Sequence, residues 1–136
     1  MKNLPNGTKI IIEDELCIKV PFPDCDEYYE EHIALRLNLN TGELSLFFPT
    51  QECYQEVDIS FTENSDVIDT KDYINDIPTG TYFKIYPNSE YLFIKIDCSL
   101  LPNHNAINVC TGEVIYLFPD REVICKSIKP KVKQNV

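Results

Sequence analysis

The chain reads as an all-β protein, two small barrels in tandem packed against each other, and three observations predict it. First, residues 38–52, NLNTGELSLFFPTQE, return as residues 108–122, NVCTGEVIYLFPDRE, with Thr41/Thr111, Gly42/Gly112, Glu43/Glu113, Phe48/Phe118, Pro49/Pro119 and Glu52/Glu122 identical. Second, Leu4-Pro5-Asn6-Gly7-Thr8 is echoed by Ile77-Pro78-Thr79-Gly80-Thr81, and the run 15–20, ELCIKV, by 90–96, EYLFIKI. Third, β-branched and aromatic residues abound while alanine occurs only at Ala34 and Ala106, a balance that favours strands. A repeat of this size buries only about 60% of its unfolded surface, so each copy is marginal alone and the two are expected to share an interface.

The elements follow in order. Pro5-Asn6-Gly7 marks a turn, 8–12 a β-branched strand, Glu13-Asp14-Glu15 a tight hairpin turn and 16–20 the returning strand, which Pro21-Phe22-Pro23 stops. The insertion 23–32, PDCDEYYEEH, has no charged counterpart in the second copy, and its carboxylates repel one another, so it belongs in solvent. From Ile33 the alternation of Ile33, Leu35, Leu37 and Leu39 against Ala34, Arg36, Asn38 and Asn40 describes a half-buried strand. Asn40-Thr41-Gly42 turns the chain, with a positive φ expected at Gly42, and 43–48 runs back to Pro49. The amides of Asn38 and Asn108 suit a turn staple, Glu43 and Glu113 solvent-facing positions. Residues 52–61 give a weaker strand.

The first barrel is thus 1–61, followed by an acidic linker at 62–76 with a helical turn expected near 70–74. The second barrel is 77–128 and 129–136 a basic, frayed tail. Five short strands per copy with hairpin connections form the pattern of an SH3-like barrel or roll. The core is expected to include Leu37, Leu39, Phe48, Ile107, Val109 and Phe118. Lys19 and Lys95, which echo each other, read as solvent-facing ladder residues.

Charge is uneven. Residues 1–58 carry twelve acidic and four basic side chains, a net −8; 59–76 carry −4; 77–136 carry +2. An acidic first half repels phosphate backbones and disfavours direct nucleic-acid binding. The opening MKNLPNG has no apolar core of signal-peptide length and no run reaches a membrane span, so a cytoplasmic protein is expected. The six cysteines form no CxxC, and Cys17, Cys53, Cys110 and Cys125 align with Phe93, Val123, Asn40 and Gln55 across the repeat, which suits reduced thiols.

Chemistry-bearing motifs are sparse. His32 and His104 each precede a strand, without a nucleophile partner. Asp24, Cys25, Asp26 and His32 match no standard metal spacing. No catalytic residue, metal or cofactor is therefore assigned. The phrase Gly80-Thr81-Tyr82-Phe83, then Phe93-Ile94-Lys95-Ile96, then 105–113 resembles one found in short bacteriophage proteins with a small β-barrel fold. The resemblance covers nearly all of the second copy. It implies a phage origin and a fold, and transfers no catalytic residue.

The leading expectation is a non-enzymatic inhibitor that binds a host or anti-phage defence protein of basic surface. Its contacts would be Asp24, Asp26, Glu27, Tyr28, Tyr29, Glu30 and Glu31. The turns Thr41-Gly42-Glu43 and Thr111-Gly112-Glu113 are structural. A second class is a binder or hydrolase of a nucleotide-like small molecule lodged between the barrels, with Lys84, Lys95, Arg121 and Lys126 meeting phosphates. A minor virion component is a third. Homo-oligomerisation is left open.

Overall fold

The computed structural model describes residues 4–22 and 32–133. It is all-β, apart from the single 3-10 turn Ile74–Asp76 among the described residues, and none of its helices is long and apolar enough to cross a membrane. In the first copy β1 (Lys9–Ile12), β2 (Glu15–Val20), β3 (Ala34–Asn38) and β4 (Leu44–Phe47) form an antiparallel meander, and β5 (Gln55–Glu56) closes against β1. In the second, β8 (Tyr82–Lys84), β9 (Phe93–Lys95), β10 (Ala106–Asn108) and β11 (Val114–Ile115) repeat the meander, and β12 (Glu122–Lys126) closes against β8. Both follow the strand order of an SH3-like roll.

Register makes the equivalence residue-by-residue. Ile10 faces Cys17 and Glu56, as Phe83 faces Phe93 and Cys125; Leu37 faces Leu44, as Ile107 faces Val114. The alignment slips by one residue after the Thr-Gly-Glu turns. Cys125 is therefore equivalent to Glu56, not to Gln55, and Val123 to Tyr54, not to Cys53.

The strands expected to be half-buried are buried on both faces. In β3, Ala34 faces the interior of its own roll beside Ile10, Cys17 and Phe47, whereas Leu35 and Leu37 enter a second core. That second core is shared: Ile18 with Ile94, Leu37 with Ile107 and Leu39 with Val109 meet in one cluster, each pair holding equivalent places in the two copies. Two further strands cover it. β6 (Ile59–Glu63) of the first copy pairs antiparallel with β13 (Ile128–Val132) of the second, a ribbon with one strand from each. Residues 129–132 of the expected frayed tail are thus strand. Residues 62–76, expected as a linker, contain β7 (Thr70–Tyr73), which lies against β12.

Three expected core features differ. Phe47, not Phe48, fills the first roll, and Phe118 is 74% exposed. In both copies the strand ends before this phenylalanine, at Phe47 in the first and already at Ile115 in the second, so the period-two pattern no longer sets its face. Lys19 and Lys95 are buried instead of solvent-facing. Each sits on a central strand facing its own roll, where the stem packs and the ammonium finds backbone carbonyls. Lys19 Nζ donates to the carbonyl of Leu4, and Lys95 Nζ to those of Ile74 (2.6 Å) and Ile77 (3.4 Å). Burial lowers the Lys95 pKa from its usual 10.5, opposed by the carboxylates of Asp97 and Asp76.

Candidate functional site

The repeated turns are built identically and lock the copies together. Asn38 Oδ1 accepts from the amides of Asn40 (2.8 Å) and Thr41 (3.2 Å), and Asn108 Oδ1 from those of Cys110 (2.9 Å) and Thr111 (3.3 Å). Thr41 and Thr111 each accept from the following glutamate amide at 3.2 Å. Gly42 and Gly112 have φ of +78° and +80°. Each turn rests on the Pro-x-Gly-Thr turn of the other copy: a Cβ on Gly42 would lie 2.6 Å from the backbone of Gly80, and one on Gly112 2.6 Å from that of Gly7. These six turn residues are therefore interlock, with Glu43 and Glu113 on the surface.

Asp24, Asp26, Glu27, Tyr28, Tyr29, Glu30 and Glu31 lie outside the described residues, as does Cys25. The described residues show how charge is sorted elsewhere in the chain. Among the described residues Glu52 is the one carboxylate that is not exposed; it accepts from the Phe48 amide at 2.7 Å. The lysines and arginines are treated oppositely, since only Lys71, Lys129, Lys131 and Lys133 of those described are exposed. None of these four belongs to the first roll. There Lys19 is buried, Lys9 half-buried with Nζ on the Cys110 carbonyl (3.3 Å), and Arg36 half-buried against Glu13 (3.2 Å). Glu13, Asp14, Glu15, Glu43, Glu56 and Asp58 all reach solvent.

Three of the four bases expected to meet phosphates in the second copy have partners within the chain, and the fourth, Lys84, is half-buried on β8. Lys95 is committed to carbonyls, Lys126 to Asp69 (2.7 Å) and Glu63 (3.2 Å), and Arg121 lies over the Tyr86 ring at 5.2 Å. The shared core fills the middle of the contact between the copies. At its edge a cleft of about 510 Å³ lies between the first roll and the end of β13, lined among others by Lys9, Glu56, Asp58 and Lys133. A second cleft, of about 470 Å³, lies on the second copy, lined among others by Asn75, Asp97, His104, Asn105 and Tyr116. Its counterpart on the first copy, beside Pro5, Lys19, Pro21, Phe22 and Ala34, measures about 90 Å³.

The neighbouring ladder also differs between the copies. Leu35 continues the β3–β4 ladder opposite Leu46, but its equivalent Asn105 turns its amide onto the backbone of Leu117, accepting from the N–H at 2.8 Å and donating to the carbonyl at 2.7 Å. The side chain replaces a ladder rung, β11 stops at Ile115, and Tyr116 is left half-exposed beside the cleft. Tyr116 and His104 were visible in the sequence only as an ordinary sheet tyrosine and a strand-flanking histidine. The signal that marks them is polar-for-apolar exchange between equivalent positions: His104 for Ala34, Asn105 for Leu35, Tyr116 for Leu46, and Asp97 for Pro21.

Among the described residues no group of three or more histidine, cysteine and carboxylate side chains is placed to hold a metal ion, and the five described cysteines are free thiols. Comparison with protein-family models, with curated proteins and with solved structures found no match.

Proposed function

We propose that this is a non-enzymatic binding protein of phage type that engages a basic host or defence protein through the acidic surface of its first roll. One observation carries the reading: among the described residues the first roll exposes carboxylates and no lysine or arginine. Such a surface steers a basic partner and rejects acidic ones, and it competes for grooves that otherwise take nucleic acid. The insertion 23–32 adds five carboxylates to the same copy. Its tyrosines, Tyr28 and Tyr29, supply rigid amphipathic area of the kind enriched at interfaces.

The test is capture from a bacterial lysate on the immobilised full chain, with salt raised from about 0.1 to 1 M, where the screening length falls from about 10 to 3 Å. One basic protein should be recovered at low salt and released at high salt. Neutralising Asp14, Glu15, Glu43, Glu56 and Asp58 to their amides should release it at lower salt without altering the melting temperature. A partner retained at high salt, or one indifferent to the five substitutions, contradicts the proposal.

A further inference from the structure

The cleft of the second copy has features that folding does not need. At the equivalent place the first copy makes a smaller pocket, walled by Pro21 and Ala34, with Leu35 paired to Leu46 in the adjoining ladder, and builds the same roll. The exchange to Asp97, His104, Asn105 and Tyr116 opens the space and leaves its walls polar. It also carries a stability cost. His104 Nδ1 is buried without a hydrogen-bond partner, a kind of defect that native folds keep rare. Tyr116, 54% exposed, is braced edge-on by Phe118, with ring centroids 6.1 Å apart and planes at 77°. Two large aromatic rings held in solvent beside a polar cleft form a platform on which a flat ring stacks.

The charged groups narrow the ligand further. Asp97 is exposed at the cleft and presents acceptors only, so it selects a ligand with N–H or O–H donors. Lys95 lies in the wall with two of its three N–H groups donated to the carbonyls of Ile74 and Ile77, which leaves one for an acceptor on the ligand. Asp76 and Asp97 act on Lys95 electrostatically and oppose a polyphosphate or a nucleic-acid backbone here. A flat ring carrying donors next to an acceptor describes a nucleobase edge. The volume falls within the range of small-molecule sites.

We propose that this cleft binds a single nucleoside, its base stacked on Tyr116 with a donor edge turned to Asp97 and an acceptor to Lys95. The first copy binds none, so each chain takes one. Titration calorimetry of the full chain with adenosine, guanosine, cytidine and uridine tests this, alongside glucose and a single-stranded RNA oligomer. At least one nucleoside should give saturable heat at one per chain. Tyr116→Leu, which installs the first copy's residue, should weaken that binding about tenfold or more, because stacking is removed. Asp97→Asn should weaken it too, whereas Leu46→Ala, at the equivalent place in the first copy, should leave it unchanged. A nucleoside-dependent shift of the Tyr116 ring protons provides a second readout that does not depend on any variant folding. Silence with all four nucleosides, two sites per chain, heat unaffected by Tyr116→Leu, or binding confined to glucose or the RNA oligomer would each overturn the proposal.

Discussion

Where the first copy sets Leu35 against Leu46 in an ordinary ladder, the second sets Asn105 against the backbone of Leu117 and frees Tyr116. Where the first copy withdraws its lysines and arginine and shows carboxylates, the second carries a larger cleft walled by Asp97, His104 and Tyr116. The shared features are equally specific: the same strand order, the same asparagine-stapled turns, the same buried lysine reaching carbonyls. The difference teaches where a duplicated fold is free to change. Residues facing the common core or the interlocking turns are held by both copies at once. Residues at the mouth of each roll answer only to their own copy, and there the two diverge.

The largest effect expected from this comparison comes from separating the copies. Residues 1–63 and 64–136 expressed apart should each lack a cooperative melting transition, because Ile18, Leu37, Ile94 and Ile107 then lose the other half of their core. A sharp transition in either half, by circular dichroism, would make the copies independent domains. Next in size are the turn glycines. Gly42→Val and Gly112→Val should each cost at least about 3 kcal/mol in urea unfolding, combining left-handed backbone strain with collision against the partner turn. The two losses should be nearly equal, since the contacts are reciprocal. Unequal losses would show that one interlock dominates.

The buried lysines come third. Lys95→Met leaves the Ile74 and Ile77 carbonyls without their donor and should cost about 1–3 kcal/mol. The pH dependence has a defined sign. Burial depresses the folded-state pKa of Lys95, so the native state sheds this proton before the unfolded chain does. The unfolded state then binds more protons, and the contribution of Lys95 to stability rises with pH in the interval below 10.5. Urea midpoints compared with those of Lys95→Met should show that rise lost in the variant. The smallest effect belongs to the first copy alone. Glu13 and Asp14 close the β1–β2 hairpin with φ of +51° and +64°, a conformation that favours glycine at the second position. Asp14→Gly should therefore raise stability by about 0.5–1 kcal/mol in the same assay.

Much of this scaffold was legible in the chain. The repeated N-x-x-T-G-E phrase located both turns, because an asparagine staple and a positive-φ glycine leave few residues to choose from. Alternation at 33–39 identified the strand but not its second buried face, since Ala34 is apolar yet small and Arg36 pairs with Glu13 at the rim. The buried lysines read as surface residues because sequence records their charge and not the carbonyls that receive them. Asn105 was invisible for a related reason: an amide that stands in for backbone looks like any polar strand residue. The acidic character of the first copy could be counted beforehand. That its bases would be withdrawn from the surface could not, because each withdrawal depends on a partner distant in sequence, as Lys9 depends on Cys110.

The central claim is that two equivalent rolls form one interlocked unit on which different surfaces have grown. Native-state hydrogen exchange of two amides tests it most directly. Gly42 N–H bonds the Asn38 carbonyl at 2.8 Å, and Gly112 N–H the Asn108 carbonyl at 2.7 Å. If the copies are one cooperative unit, both amides exchange only through global unfolding, with equal opening free energies that fall in parallel as urea is added. An amide in one copy that exchanges while its equivalent stays protected would show two separable domains and contradict the account.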